Sequence, residues 1–224
     1  MDNLLKPSKK KVKAWLIDRM FSHPGDDYQR GHYPKKKLDL ILSRVNLSDV
    51  NNILDVGCNE GYISTEFTKR GKFCVAIDAG PYYLNHILND LENVYDSQNP
   101  AFGVFPLTEE NVDLIPEFDL ILLLSVHHQW INAHGNAYGE RLVRQLIDKA
   151  RRYFVIEFAA TNRKYGFSEP KFIDNDEESM TTYAESWLRG LNVQGAIEFI
   201  AKNKEGTDAN EPYRYIFMIT KEPQ

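Results

Sequence analysis

The pattern that most constrains the fold is a regular alternation of short apolar segments with helix-forming segments between residues 35 and 158. Such alternation is typical of a parallel sheet whose strands are connected by crossover helices. Two of the apolar segments, 119–125 and 153–158, are apolar on both faces, as expected for strands that helices cover on both sides. The predicted strands are Asn52–Val56, Phe73–Ile77, Phe102–Leu107, Asp119–Ser125 and Tyr153–Phe158, and the predicted helices are Lys35–Val45, Glu60–Arg70, Pro81–Leu91 and Gly139–Lys149. This part of the chain is therefore predicted to form a doubly wound, Rossmann-like α/β sheet.

The C-terminal part departs from this alternation. A helix predicted at Met180–Leu191 is followed by two strands, Ala196–Ala201 and Arg214–Ile219, with a polar, glycine-containing loop between them. Two strands without a helix between them are most simply an antiparallel hairpin at the sheet edge. Before the alternation lie a short amphipathic helix at Val12–Phe21 and a segment rich in Gly and Pro. The predicted organisation is an N-terminal helix and cap segment, residues 1–36, and a mostly parallel α/β domain with helices on both faces, residues 37–224.

The composition limits the classes of protein that fit. A chain of 224 residues with a net charge of −5 suits one domain and has no overall nucleic-acid signature. Two cysteines are too few for a disulfide framework, and they show no metal-binding spacing. No apolar run approaches the roughly 20 residues that span a bilayer, and the lysine-rich N-terminus lacks the apolar core of a signal peptide. These features predict a cytoplasmic protein with reduced thiols and no membrane span.

A glycine-containing turn follows the first predicted strand, in the sequence ILDVGCNEGYIS at 53–64. Gly57 permits a tight turn with close approach to a ligand, and Gly61 permits a helix to begin against the strand. The spacing is G-x-x-x-G, and the position where a dinucleotide fingerprint has its middle glycine holds Asn59. Glu60 follows, at the start of the helix, where an acid repels a phosphate. The turn therefore favours a ligand without phosphate groups.

Two acids at strand ends complete this ligand site. Asp78 ends the second strand, 23 positions after Asp55, and its carboxylate is placed to accept two ribose hydroxyls. Asp55 can accept from an ammonium group, directly or through water. Either acid alone is most simply an ordinary strand-end residue, but together, at this spacing, they indicate a ligand with a ribose and an amino acid. That description fits S-adenosylmethionine.

The segments ILDVGCNEGYIS, CVAIDAG and FDLILLLSVHHQW resemble the class I S-adenosylmethionine-dependent methyltransferases, over most of residues 37–160. The resemblance implies that 37–224 is a methyltransferase domain with this cofactor at the carboxyl ends of its strands. It also implies the cofactor-binding residues: Asp55, Gly57, Cys58, Asn59 and Gly61 at the methionine end, Asp78 at the ribose, Ala79 beside the adenine, Thr108 or Glu109 at the adenine amino group, and Ser125 after the fourth strand.

In this fold the segment SVHHQW faces the transferred methyl group. His127 and His128 are therefore candidate general bases, because an imidazole titrates near neutrality, and each is equally explained as a packed, hydrogen-bonded side chain. Joint metal binding with His134 and Glu157 is disfavoured, since adjacent residues of an extended segment point in opposite directions. No metal is predicted. Glu157, in the apolar run YFVIEFAA, needs a partner and is the third catalytic candidate, to bind substrate or orient a histidine, unless it bonds a neighbouring loop.

The layout LLLSVHHQW, GERLVRQL and YFVIEFA is similar to the methyltransferase domains that cap bacterial O-antigen polysaccharides. This similarity implies methylation of a terminal phosphate or sugar, and a phosphate oxygen needs positioning by cations more than it needs a base. Cations and aromatic residues near the predicted site are the candidates for acceptor binding, although a polar loop explains them as well: Tyr28, Arg30 and Tyr33 before the domain, and Arg163 after the fifth strand.

The function predicted from the sequence is S-adenosylmethionine-dependent methylation of oxygen on a small-molecule or glycan-like acceptor, including phosphorylated ones. An RNA methyltransferase is the alternative in the same class, disfavoured by the acidic charge and by SVHH where amino methyltransferases of bases carry [DN]-P-P-[YFW]. A non-catalytic cofactor-binding scaffold or regulator is the alternative in another class. An NAD-dependent oxidoreductase is disfavoured by the missing middle glycine.

Overall fold

A computed structural model describes residues 32–81, 100–159, 177–204 and 213–222. The helices in these ranges are α1 (His32–Leu42), α2 (Tyr62–Thr68), α3 (His127–His134), α4 (Asn136–Lys149) and α5 (Glu177–Gly190). The strands are β1 (Asn52–Val56), β2 (Phe73–Asp78), β3 (Ala101–Val104), β4 (Phe118–Leu123), β5 (Ala150–Ala159), β6 (Ala196–Lys204) and β7 (Tyr213–Thr220).

The strands form one sheet in the order β3-β2-β1-β4-β5-β7-β6. The first five are parallel to one another, and β7 runs antiparallel to both β5 and β6. The predicted Rossmann-like sheet with a C-terminal antiparallel hairpin is therefore confirmed. The chain order reverses between β1 and β4, and in open α/β sheets ligands bind beyond the carboxyl ends of the strands at such a point.

Hydrophobic cores lie on both faces of the sheet. On one face α4 and α5 bury their apolar residues against β4 and β5, with Leu146 and Leu188 fully buried. On the other face α1 and α2 pack through Ile41 and Phe67 against the alternate residues of the same strands. The predicted strands with apolar residues on both faces are explained by this arrangement.

Several boundaries differ from those predicted. α1 begins at His32 and ends at Leu42, and α2 spans only Tyr62–Thr68, because the left-handed backbone of Gly61 (φ +79°) delays its start. The predicted helices at 12–21 and 81–91 lie outside the described residues, except for residue 81 itself. The division at residue 36 stays a prediction for the same reason.

One helix was not predicted. The segment that begins at His127 was interpreted as extended, and this interpretation is wrong, because residues 127–134 form α3. α3 packs closely on α4 at Gly139, where an added Cβ would lie 2.6 Å from Ile131 Cγ1. This contact between Ile131 and Gly139 stabilises the helix by tertiary packing. Local patterns of strand and turn residues do not reveal such packing, so the helix was missed.

Candidate active site

The glycine turn lies at the carboxyl ends of β1 and β2 and is fixed to both. The backbone N–H groups of Gly57 and Cys58 donate to the carbonyl of Ile77, at 2.8 and 3.1 Å. Gly57 has a left-handed backbone (φ +75°), and a Cβ there would lie 2.2 Å from Val126 Cγ2. Asn59 also has positive φ, at +50°. The turn is thus held in one shape, with its backbone packed against the residue that precedes α3.

The Asp78 carboxylate is attached to this turn by backbone hydrogen bonds. Its Oδ2 accepts from the Asn59 N–H at 2.9 Å, and its Oδ1 accepts from the Gly80 N–H at 3.2 Å. A carboxylate has about four lone-pair sites, so both oxygens keep capacity to accept further hydrogen bonds. A fixed, partly exposed carboxylate beside the glycine turn can accept the two hydroxyls of a ribose.

Asp55 lies beneath the turn and is almost fully buried. The Ser64 hydroxyl donates to its Oδ2 at 2.5 Å. Burial raises the pKa of the Asp55 carboxyl to about 6, a rise that Asp78 reinforces, whereas the Ser64 bond and Lys37 act against it. In this geometry Asp55 joins β1 to α2 through Ser64, a residue that sequence reasoning did not single out. Its predicted contact with an ammonium group stays a prediction.

The raised pKa of Asp55 makes stability depend on pH. The carboxyl titrates near 3.8 when unfolded and near 6 when folded, so the native state binds the proton more tightly. This stabilisation is complete below about pH 4 and is lost as the pH rises through 6. We expect the wild-type free energy of unfolding to fall by about 1 kcal/mol between pH 5 and pH 7, relative to Asp55→Asn. Denaturant titrations of both proteins at the two pH values measure this difference, and parallel pH dependences would contradict it.

The two histidines occupy the first turn of α3, and both are buried. The His127 ring packs 4.6 Å from Phe158 and 5.9 Å from Trp187 between ring centroids, and it hydrogen-bonds to the Glu157 backbone. Burial, with repulsion from Arg214, lowers the pKa of His127 to about 3. Burial, with repulsion chiefly from His127, lowers the pKa of His128 to about 2. Both imidazoles are therefore neutral. Their role as bases stays a prediction.

Glu157 is the centre of a buried charged cluster. Its Oε2 accepts from Lys37 Nζ at 2.8 Å and from the Ser125 hydroxyl. Burial raises the pKa of the Glu157 carboxyl, but the nearby Lys37 and Arg214 outweigh this effect and hold the pKa below its ordinary value. Ser125 has a left-handed backbone (φ +61°), a strained conformation that is common at functional sites. Glu157 is therefore ionised and fixes Ser125 at the carboxyl end of β4.

Sequence reasoning missed Lys37 and Arg214. A buried carboxylate in an apolar strand does indicate that a cation must approach it. Arg214 gives a similar signal, because it interrupts the apolar run YRYIFMIT. Nothing local identifies the two as partners, since Lys37 lies 120 residues from Glu157 along the chain.

Four further cofactor-binding candidates, Thr108, Glu109, Ala79 and Cys58, lie near the glycine turn or in the loop after β3. The loop after β3 is attached to β2 by the Phe105 N–H, which donates to the Asp78 carbonyl at 2.8 Å. Thr108 follows in this loop, while the Glu109 carboxylate pairs with Arg141 at 3.0 Å. Ala79 is exposed at the end of β2, and Cys58 is a buried thiol whose pKa burial raises. Their contacts with the cofactor stay predictions.

Three of the four predicted acceptor-binding residues, Tyr28, Arg30 and Arg163, lie outside the described residues. Tyr33 belongs to α1, which carries Lys37. Within the described ranges no group of three or more His, Cys, Asp or Glu side chains is arranged to hold a metal ion. No helix there is long and apolar enough to cross a membrane.

Comparisons with known proteins bear on the fold and the cofactor. No protein-family model matches the chain. The O-antigen chain terminator bifunctional methyltransferase/kinase WbdD of Escherichia coli is 29% identical over 167 residues, which is 69% of this chain and 23% of the relative. A structure of WbdD superposes with a TM-score of 0.63 at 25% identity, over 90% of this chain and 42% of that one. Magnesium protoporphyrin IX methyltransferase from Synechocystis PCC 6803, solved with bound S-adenosylmethionine, has a TM-score of 0.58 at 14% identity and covers 98% of this chain and 100% of that one.

The chain therefore has the fold of the class I S-adenosylmethionine-dependent methyltransferases, and both resemblances predicted from the sequence are confirmed. One relative that it resembles is the O-antigen chain terminator, and the match spans about a quarter of that protein's length.

Proposed function

We propose that this chain is an S-adenosylmethionine-dependent methyltransferase that methylates an oxygen atom of a small-molecule or glycan-like acceptor, phosphorylated acceptors included. The observation that carries the proposal is the Asp78 carboxylate, which two backbone N–H groups hold beside the Gly57–Gly61 turn. A scaffold would not need this carboxylate, because Asp78 is partly exposed and does not belong to the core of the sheet. We also propose a cytoplasmic location, which the free thiols of Cys58 and Cys74 support.

The cofactor fits the residues present. Asp78 would accept the ribose hydroxyls, the turn would hold the methionine end, and Ala79 with the loop at Thr108 would border the adenine. When bound, S-adenosylmethionine supplies an electrophilic methyl group. The chain's own residues then have to orient the acceptor oxygen in line with that group and exclude water.

His127, His128 and Glu157 are the residues proposed for that task, at the carboxyl ends of β4 and β5. Ser125, which donates to Glu157, is proposed as a cofactor contact beside them. Neutral imidazoles suit orientation by hydrogen bonding, because a histidine with a pKa of about 3 is a weak base. An acceptor oxygen that is already ionised, such as that of a phosphate, needs no base. The O-antigen chain terminator among the relatives supports a glycan-like acceptor.

Calorimetric titration of the full chain with S-adenosylmethionine, S-adenosylhomocysteine and NAD tests the proposal. We expect micromolar binding of the first two and none of NAD. Asp78→Ala should weaken binding by about 1–3 kcal/mol, because it removes hydrogen bonds to a charged acceptor. Asp113→Ala, which removes an exposed acid of a surface turn, is the matched control and should bind like the wild type.

Two results would contradict the proposal. Unchanged affinity in Asp78→Ala would remove Asp78 from the ribose site. A wild-type protein that binds neither cofactor form would favour the scaffold function. With binding established, an acceptor screen of phosphorylated sugars, unmodified sugars and RNA separates the glycan-like acceptor from the RNA alternative.

A further inference from the structure

The C-terminal hairpin brings two polar side chains together at the carboxyl edge of the sheet. Asn203 of β6 and Arg214 of β7 are directly opposite each other in the antiparallel register, and both are fully buried. Side chains that oppose each other directly lie on the same face, with Cβ atoms about 5 Å apart. The amide and the guanidinium are therefore neighbours inside the protein.

Asn203 has an unusual environment for a buried amide. Neither its Oδ1 nor its Nδ2 has a hydrogen-bond partner among the described residues, although both atoms are inaccessible to water. A buried polar group in this state forfeits the hydrogen bonds it makes in water, and native proteins contain few of them. The amide thus indicates a group that comes from outside this part of the chain.

The charges near Arg214 indicate the chemistry of that group. Arg214 and Lys37 both lie near the ionised Glu157, so this cluster keeps one net positive charge, while His127 and His128 are neutral. In the register of β5 and β7, Arg214 faces Ala159, two residues after Glu157. A guanidinium with an adjacent amide N–H₂ is a donor set suited to the oxygens of a phosphate or carboxylate.

The position of the pair places it beyond the cofactor turn. β7 is separated from β1 by β4 and β5, so it lies about 14 Å from β1 at the usual spacing of strands. The cofactor turn follows β1, and the segment that faces the acceptor follows β4. The Arg214 and Asn203 pair is thus on the acceptor side of the site.

We propose that Arg214 and Asn203 bind an anionic oxygen group, a phosphate or a carboxylate, of the methyl acceptor. The inference rests on the proposed function, because it assigns these residues to the acceptor of that reaction. The hairpin then selects acceptors by their charge, from a position next to Glu157 and His127, two of the residues proposed to orient the reacting oxygen.

Titration of the full chain with inorganic phosphate, at saturating S-adenosylhomocysteine, tests this site. Asn203→Leu should weaken phosphate binding about tenfold, because it removes one hydrogen-bond donor. The thermal unfolding midpoint of this variant should equal or exceed that of the wild type, because a buried amide without a partner has been removed. Arg214→Gln should abolish measurable binding. The control Arg189→Gln changes an exposed arginine of α5 and should leave the affinity unchanged. A parallel titration with acetate separates carboxylate from phosphate, and the tighter of the two identifies the anion.

Several outcomes would overturn the assignment. If Asn203→Leu binds phosphate like the wild type, the amide is not part of an anion site, and this variant decides the question even if Arg214→Gln does not fold. If phosphate binds only without S-adenosylhomocysteine, the pair holds the cofactor's own carboxylate. A wild type that binds neither cofactor form refutes the proposed function. A wild type that binds S-adenosylhomocysteine but shows phosphate binding insensitive to both residues refutes this inference alone.

Discussion

Glu157→Gln is expected to lower the free energy of unfolding by about 3–5 kcal/mol, the usual cost of removing one member of a buried ion pair. The side chain is fully buried, and its negative charge faces Lys37 at 2.8 Å and also Arg214. Small domains have about 5–15 kcal/mol of stability in total, so the loss is a large fraction of it. Urea unfolding followed by circular dichroism measures the change.

Two variants of α1 serve as the comparison. Lys37→Met should cost less than Glu157→Gln, because Glu157 still accepts from Ser125 and faces Arg214. Lys35→Met, two residues away, removes an exposed pair with Asp39 at 2.7 Å and should cost less than about 0.5 kcal/mol. If Lys37→Met costs no more than Lys35→Met, the buried pair adds nothing to stability and its role is confined to positioning.

The sheet could be predicted because its signal is local. β1 was predicted with its observed bounds, and the hairpin of β6 and β7 followed from the absence of a helix between two strands. Strand ends were harder to predict: β5 begins at Ala150 and continues through two arginines, because its pairing with β4 already starts there, with Ala150 opposite Phe118. The left-handed Ser125, which redirects the chain after β4 into α3, has no sequence signature of its own.

The cofactor side of the site could also be read from adjacent residues, since Gly57, Asn59 and Gly61 belong to one turn and Asp78 ends the neighbouring strand. The charged cluster could not. Its members come from α1, the end of β4, β5 and β7, and the chain has 27 lysines and arginines that could have faced Glu157. Burial of the carboxylate predicts a cation, but the fold selects which one.

Gly57→Ala is expected to abolish cofactor binding and to destabilise the protein by about 2–5 kcal/mol. Two costs add together. A left-handed backbone at a residue with a side chain costs about 1–2 kcal/mol. The new Cβ would lie 2.2 Å from Val126 Cγ2, and overpacking of this kind costs about 1–3 kcal/mol. The turn must move to relieve the contact, and with it the Asn59 N–H that holds Asp78.

Gly71→Ala separates the two costs. Gly71 has nearly the same backbone (φ +76°), but its Cβ would have no atom within 4 Å, so this variant should pay only the backbone cost and bind the cofactor normally. In the background of Val126→Ala, the cost of Gly57→Ala should fall to about that of Gly71→Ala, because the contact is removed and the strain is not. Measuring this cost against the single variant Val126→Ala cancels the packing that Val126 loses from the core. Chemical unfolding and calorimetric titration of the four variants give both quantities. Equal effects of Gly57→Ala and Gly71→Ala would mean that the turn tolerates a side chain, and close packing of the turn on Val126 would then have no part in shaping the cofactor site.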